Sequence, residues 1–109
     1  MIARHWRGWA KNEDAGAYEE FLKHKVMPGL AGVDGYRGGY VLRRQAGAEA
    51  EFLVINFFDS LEAVKRFAGP AYTTPVFEPE ARRLLSRIDD FATHYEVRTC
   101  TVPGVLPEG

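Results

Sequence analysis

The most apolar run of the chain is Glu51-Phe52-Leu53-Val54-Ile55-Asn56-Phe57-Phe58. Its β-branched and aromatic residues predict a strand. Leu53, Ile55 and Phe57 alternate with Phe52, Val54 and Phe58, so both faces are apolar. A strand of that kind is covered above and below and belongs in the middle of a sheet. Asn56 interrupts one of the faces, and an amide in a dry place needs partners from the backbone or a buried water.

Weaker patterns flank this strand. Residues 2–10 (IARHWRGWA) read as a first strand with mixed faces. Asn12 is an expected N-cap, with Glu13 and Asp14 in the first turn, for a helix running to about Met27. Tyr18, Phe21, Leu22, Lys25 and Val26 share one side of that helix, and Pro28-Gly29 is expected to stop it. Residues 33–45 form a second strand, in which Gly38-Gly39 marks a bulge or a close backbone approach. Residues 46–50 turn the chain into the central strand. Ser60 caps a second helix with Leu61, Val64, Phe67 and Ala68 inward, ended by Gly69-Pro70. A loop over 71–77 carries Tyr72 and Pro75. A helix from Pro79 buries Ala81, Leu84, Leu85 and Ile88, and Phe91 to Thr99 is the last strand.

The order β-α-β-β-α(α)-β is the ferredoxin-like split βαβ, an α+β fold. Right-handed crossovers that each skip a strand give an antiparallel sheet of order 4-1-3-2. One domain over residues 1–100 is expected, with a proline- and glycine-bearing tail over 101–109. The helices cover one face of the sheet. The other would expose part of the central strand's Phe and Ile content, so a homodimer that stacks two open faces is expected.

Composition narrows the function classes. An apolar fraction of 46% with 27% charged residues is ordinary for a globular chain and excludes global disorder. A net charge of −1 with scattered basic residues gives no footprint for nucleic acid or an anionic membrane, so neither is an expected partner. No apolar stretch is long enough to span a bilayer. The first residues carry charge where a signal peptide would be apolar. Cys100 is the single cysteine, and no Cys/His spacing suits zinc. A cytoplasmic, reducing setting without a metal is therefore expected.

Several stretches together carry a family resemblance: Pro28-Gly29-Leu30 leading into Val33-Asp34-Gly35-Tyr36-Arg37-Gly38-Gly39; Phe57-Phe58-Asp59-Ser60-Leu61-Glu62-Ala63-Val64 before Phe67-Ala68-Gly69; and the closing His94-Tyr95-Glu96-Val97. Over residues 2–98 the chain resembles the antibiotic biosynthesis monooxygenase-like family of dimeric α/β barrels. The resemblance implies a homodimer with a pocket between sheet and helices in each subunit. Some members oxidise aromatic compounds with O₂ and no metal or flavin, while others degrade haem, dissipate quinols or have no assigned reaction. Phe58 stands where Trp is frequent in the family, which removes an indole donor. The helices after residue 60 carry no histidine, unlike those of haem-degrading members.

Cofactor-free oxygenation of a phenol or hydroquinone needs a proton acceptor, a polar group to steady the oxygenated intermediate, and an aromatic, water-poor pocket. His94 is the candidate base, and Asn56 the candidate stabiliser. The alternative reading of His94 is a histidine hydrogen-bonded in the sheet or the dimer, and that of Asn56 a satisfied interior amide. Trp6, Arg4, Tyr18, Phe21, Phe67 and Tyr72 are the candidate substrate-binding residues for a small apolar or aromatic molecule. Trp6 and Trp9 lie on opposite faces, so at most one lines a pocket. Arg4 and Arg7 are each expected to meet a carboxylate, Glu96 being one option, with an anion clamp at Arg4 as the sharper reading. A non-catalytic ligand-binding or stress-response dimer, and a haem-binding relative, are the alternatives.

Overall fold

The computed structural model describes residues 1–76 and 78–101. Its elements are β1 (Ile2–Lys11), α1 (Asn12–Phe21), a π-helical turn (Leu22–Val26), α2 (Met27–Leu30), β2 (Tyr36–Ala46), β3 (Glu49–Phe58), α3 (Leu61–Ala68), α4 (Pro79–Leu84), β4 (Arg87–Ile88) and β5 (Thr93–Glu96). The sheet runs β2-β3-β1-β4, with β5 also paired to β1, and every pairing is antiparallel. This is the expected α+β ferredoxin-like arrangement with β3 and β1 central. Phe77 of the expected loop and residues 102–109 of the expected tail lie outside the described residues.

Strict alternation along β3 organises the core. Ala50, Phe52, Val54, Asn56 and Phe58 are buried beneath the helices, while Leu53, Ile55 and Phe57 on the other face stay half-buried. The helix side holds two apolar clusters. Tyr18, Phe21 and Leu22 pack with Phe52 and Val54 in one; Leu30, Ala63 and Val64 pack with Phe58 in the other. Burying side chains of this size is worth about 1.5–3 kcal/mol each. On the other face Tyr40 and Leu42 of β2 are 40% and 46% exposed, beside Ile55 and Leu53 in register.

Local chemistry explains most boundaries. Ser60 caps α3, its hydroxyl accepting from the Ala63 N–H at 3.2 Å, and Gly69 ends the helix at φ 81°. Pro79 opens α4. The bulge falls at Tyr36/Gly38, so Arg37 is the extra residue and its guanidinium is free to grip Asp59.

Five sequence expectations are corrected. Asn12 is not a cap but the first helical residue; its side chain bridges to the β2–β3 turn, accepting from Gln45 at 2.6 Å. Pro28 does not stop the first helix. The π-turn, closed by the Met27 N–H on the Leu22 carbonyl, lets the chain continue to Leu30 with the proline in a fresh first turn. Lys25 is exposed and pairs with Glu80 at 3.2 Å. β2 begins at Tyr36 rather than 33, after tight turns over 30–36. Ile88 is in β4, not in the helix, and the last strand is split. Asp89 causes the split: its N–H donates to the Arg7 carbonyl, its carbonyl accepts from the Trp6 indole, and its carboxylate grips Arg7. The chain then leaves β1, and the Ala92 N–H bonds the Thr73 carbonyl of the loop.

Candidate active site

Across the helix side of the sheet, the register sets Gly39, Asn56, Arg4 and His94 in one row over β2, β3, β1 and β5. This polar row crosses the face between the two apolar clusters. Asn56 and Arg4 are 6% and 5% exposed. Trp6, Tyr18, Phe21, Phe67, Asn56 and Arg4 all line one cavity of about 60 Å³ between sheet and helices, and Pro75 and Val76 of the loop close it. Arg4 is the one charged residue among its described lining residues.

Asn56 finds its partner in Tyr36, whose hydroxyl donates to Oδ1 at 2.8 Å. The pair exists because residue 39 is glycine. A Cβ there would sit 2.2 Å from Asn56 Oδ1 and 2.8 Å from the Tyr36 hydroxyl oxygen. Burial pushes the Tyr36 hydroxyl up to about 12, so it stays protonated and donating. Burial likewise raises Tyr18 well above the ordinary tyrosine range.

Arg4 meets no carboxylate among the described residues, which corrects the expectation of an ion pair with Glu96. Its Nη1 donates to the Tyr72 carbonyl and approaches His94 Nε2 at 3.0 Å; its Nη2 donates to the Thr74 carbonyl at 3.1 Å. The guanidinium lies 5.5 Å from the Phe67 ring centroid. Burial pulls its pKa down to about 10, so it remains a cation at neutral pH. Arg7 does pair as expected, with Asp89 at 2.9 and 3.3 Å.

A guanidinium can only donate, so His94 Nε2 accepts from it and the imidazole proton sits on Nδ1. Burial and the Arg4 charge both hold the His94 pKa below the ordinary histidine value. His94 therefore shares the face of Asn56 but stands behind Arg4, outside the cavity wall. Tyr72 lies over it edge-on at 5.2 Å and contributes its carbonyl, rather than its ring, to the site. Trp9, on the opposite face, is buried under Arg87, whose guanidinium is 4.1 Å from its ring centroid.

Sequence reasoning missed Tyr36, Gly39 and the loop pair Pro75–Val76 as parts of the site. The Gly38-Gly39 signal was present, but its meaning depends on the strand register that brings Gly39 beside Asn56. Among the described residues no three His, Cys, Asp or Glu side chains gather as a metal site. No helix there is long and apolar enough to cross a membrane.

No family model matches the sequence, and no curated protein matches it. Solved structures do. A candidate antibiotic biosynthesis monooxygenase from Deinococcus radiodurans is 20% identical with a TM-score of 0.68, over 94% of this chain and 97% of that one. A second such candidate, from Bacillus cereus, is 15% identical with a TM-score of 0.63, over 94% and 95% of the two chains. MhuD from Mycobacterium tuberculosis, a heme-degrader with two hemes bound in its active site, is 19% identical with a TM-score of 0.63, over 94% of this chain and 100% of that one. At these identities the likeness is one of fold. The chain thus has the ferredoxin-like α+β fold of the antibiotic biosynthesis monooxygenase-like proteins.

Proposed function

We propose that this protein is a cytoplasmic homodimer that oxygenates a small aromatic or quinol-type compound without a metal or organic cofactor. The observation that carries the reading is the aromatic-lined cavity between sheet and helices, with Asn56 and an unneutralised Arg4 in its wall. The names of two structural neighbours as candidate monooxygenases support it.

An electron-rich substrate supplies its own electrons. A phenol and O₂ give a quinone and water, O₂ taking four electrons from the ring through an organic hydroperoxide. In that scheme Trp6, Tyr18, Phe21 and Phe67 surround the reacting end of the substrate and exclude water, Arg4 favours the ionised substrate oxygen, and Asn56 steadies the hydroperoxide. Tyr72 holds Arg4 through its carbonyl. His94 takes the substrate proton by exchanging its contact with Arg4 for one with the substrate hydroxyl. Its lowered pKa keeps it neutral and able to accept.

Oxygen-electrode traces with a panel of hydroquinones and phenols test this. Uptake matched by quinone formation is expected, reduced at least about 100-fold in His94→Ala while the melting temperature holds. Unchanged rates in that variant, or no uptake with any substrate, remove the oxygenase reading. One observation favours a non-catalytic binding dimer instead: the His94 lone pair is already engaged by Arg4. Tight binding without uptake is its signature. A Soret shift on adding hemin would mark the haem-binding alternative.

A further inference from the structure

The polar atoms that face the cavity are unbalanced in kind. Tyr36 occupies Asn56 Oδ1, which leaves the amide Nδ2 without a partner among the described residues on a side chain 6% exposed. Tyr18, 2% exposed and lining the same space, has a hydroxyl with no hydrogen-bond partner among those residues. Arg4 spends three of its five N–H donors on Tyr72, Thr74 and His94, leaving Nε–H and one Nη2 hydrogen. The Trp6 indole N–H is directed out of the cavity, to Asp89.

What remains is a set rich in donors around one cation, with one of the amide oxygen's two lone pairs already taken by Tyr36. Such a set is worth most to an oxygen bearing negative charge, because charge-assisted bonds are roughly twice as strong as neutral ones and burial strengthens them further. A neutral hydroxyl also needs an acceptor for its own proton, and of the two lone pairs on the Asn56 oxygen Tyr36 already takes one.

We propose that this site selects the ionised form of its ligand, a phenolate, enolate or carboxylate on a small aromatic body, held by Arg4, Asn56 Nδ2 and the Tyr18 hydroxyl, and that Tyr36 is the positioning residue that makes Asn56 a donor. The proposal rests on the cavity being the ligand site, and it adds the charge state that the site demands. At about 60 Å³ the space takes the oxygen-bearing end of the ligand, and the ring extends past Pro75 and Val76.

The probe is 4-nitrophenol, whose neutral and ionised forms absorb in separate bands. It is titrated with the whole protein at a pH where the free probe is mostly protonated. The expected result is growth of the phenolate band on binding, equivalent to at least about a tenfold preference for the anion, one unit in apparent probe pKa. Tyr36→Phe should cut that preference several-fold while leaving the amide free to turn, and Arg4→Met should abolish it. Because Arg4→Met removes a buried cation and can fail to fold, Asn56→Leu with a circular dichroism control gives an independent reading.

Equal binding of both forms, or no binding by the native protein, overturns the proposal. An unchanged preference in Tyr36→Phe overturns the role of Tyr36. The oxygenase reading fails separately: a phenolate band without oxygen uptake from any quinol keeps this inference and removes that one.

Discussion

Gly39 shows how one missing side chain can determine a site. Its backbone lies on β2 opposite Asn56, and the Tyr36–Asn56 bond fills the space where its Cβ would stand. Gly39→Ala should therefore destabilise the fold by about 1–3 kcal/mol through overpacking, and it should break the hydrogen bond as well. Gly16, exposed in α1 with nothing near its Cβ position, is the matching control. Gly16→Ala should stabilise by about 0.5–1 kcal/mol. Urea denaturation of the two variants gives opposite signs if packing, not glycine itself, is decisive. His94 supplies a second residue-scale prediction. Its folded pKa lies below the ordinary 6.5, so the unfolded chain binds the proton more readily. The associated stability is complete above that ordinary value and is lost as pH falls through the folded one. Glu51 and Asp59, held below the usual carboxylate range first by hydrogen bonds from Arg44 and Arg37, contribute stability that is lost only at lower pH. Between about pH 7 and pH 5 the melting temperature should fall more steeply in the native protein than in His94→Gln. Parallel curves would show that burial and Arg4 do not lower the His94 pKa in solution.

Elements were legible in the sequence where local chemistry and tertiary packing agree. The two-sided apolarity of residues 52–58 placed β3 at the centre of the sheet, and the Ser60 and Pro79 signals placed two helix starts. They were illegible where a distant contact decides. Asn12 has the chemistry of a cap, but the β2–β3 turn lies beside it and claims its side chain. Pro28 has the chemistry of a stop, yet a π-turn upstream absorbs the misfit and keeps Leu30 buried against the second cluster. The break between β4 and β5 is set by Asp89, whose three groups all engage Arg7 and Trp6 some 80 positions earlier. That break matters to the site, since it carries Ala92 to Thr73 and so holds the loop whose carbonyls clasp Arg4. The candidate residues were likewise legible as types, and their arrangement was not. Composition marked Arg4 as a charge needing a partner, but only the sheet register shows that its neighbours in the row are Asn56 and His94 rather than Glu96.

At the scale of the molecule, the two faces of the sheet have different fates. The helices, packed on the Phe52 and Phe58 side, leave the cavity as an interruption of the core. On the far side, Leu42, Tyr40, Leu53, Ile55 and Phe57 form an apolar area, joined across β1 to Tyr95, which is 57% exposed and meets His5 edge-on at 6.3 Å. Arg44, bonded to Glu51, and Arg87, stacked on Trp9, form its charged border at one end. An apolar centre with a polar rim is the pattern of a protein–protein interface. In the proposed homodimer a second copy of the chain would cover it by two-fold symmetry, the same patch serving both partners. Sedimentation should give twice the 12.3 kDa chain mass. Leu42→Glu, at a side chain already 46% exposed in the single chain, should leave the fold intact and shift the equilibrium to monomer, because a charge within the patch must be desolvated on association. The cavity lies on the opposite side of the sheet, so binding of 4-nitrophenol should survive in the monomeric variant. If the native protein sediments as a monomer, the apolar face is stable in water and the homodimer is wrong. If Leu42→Glu remains a dimer, the partners meet through another surface.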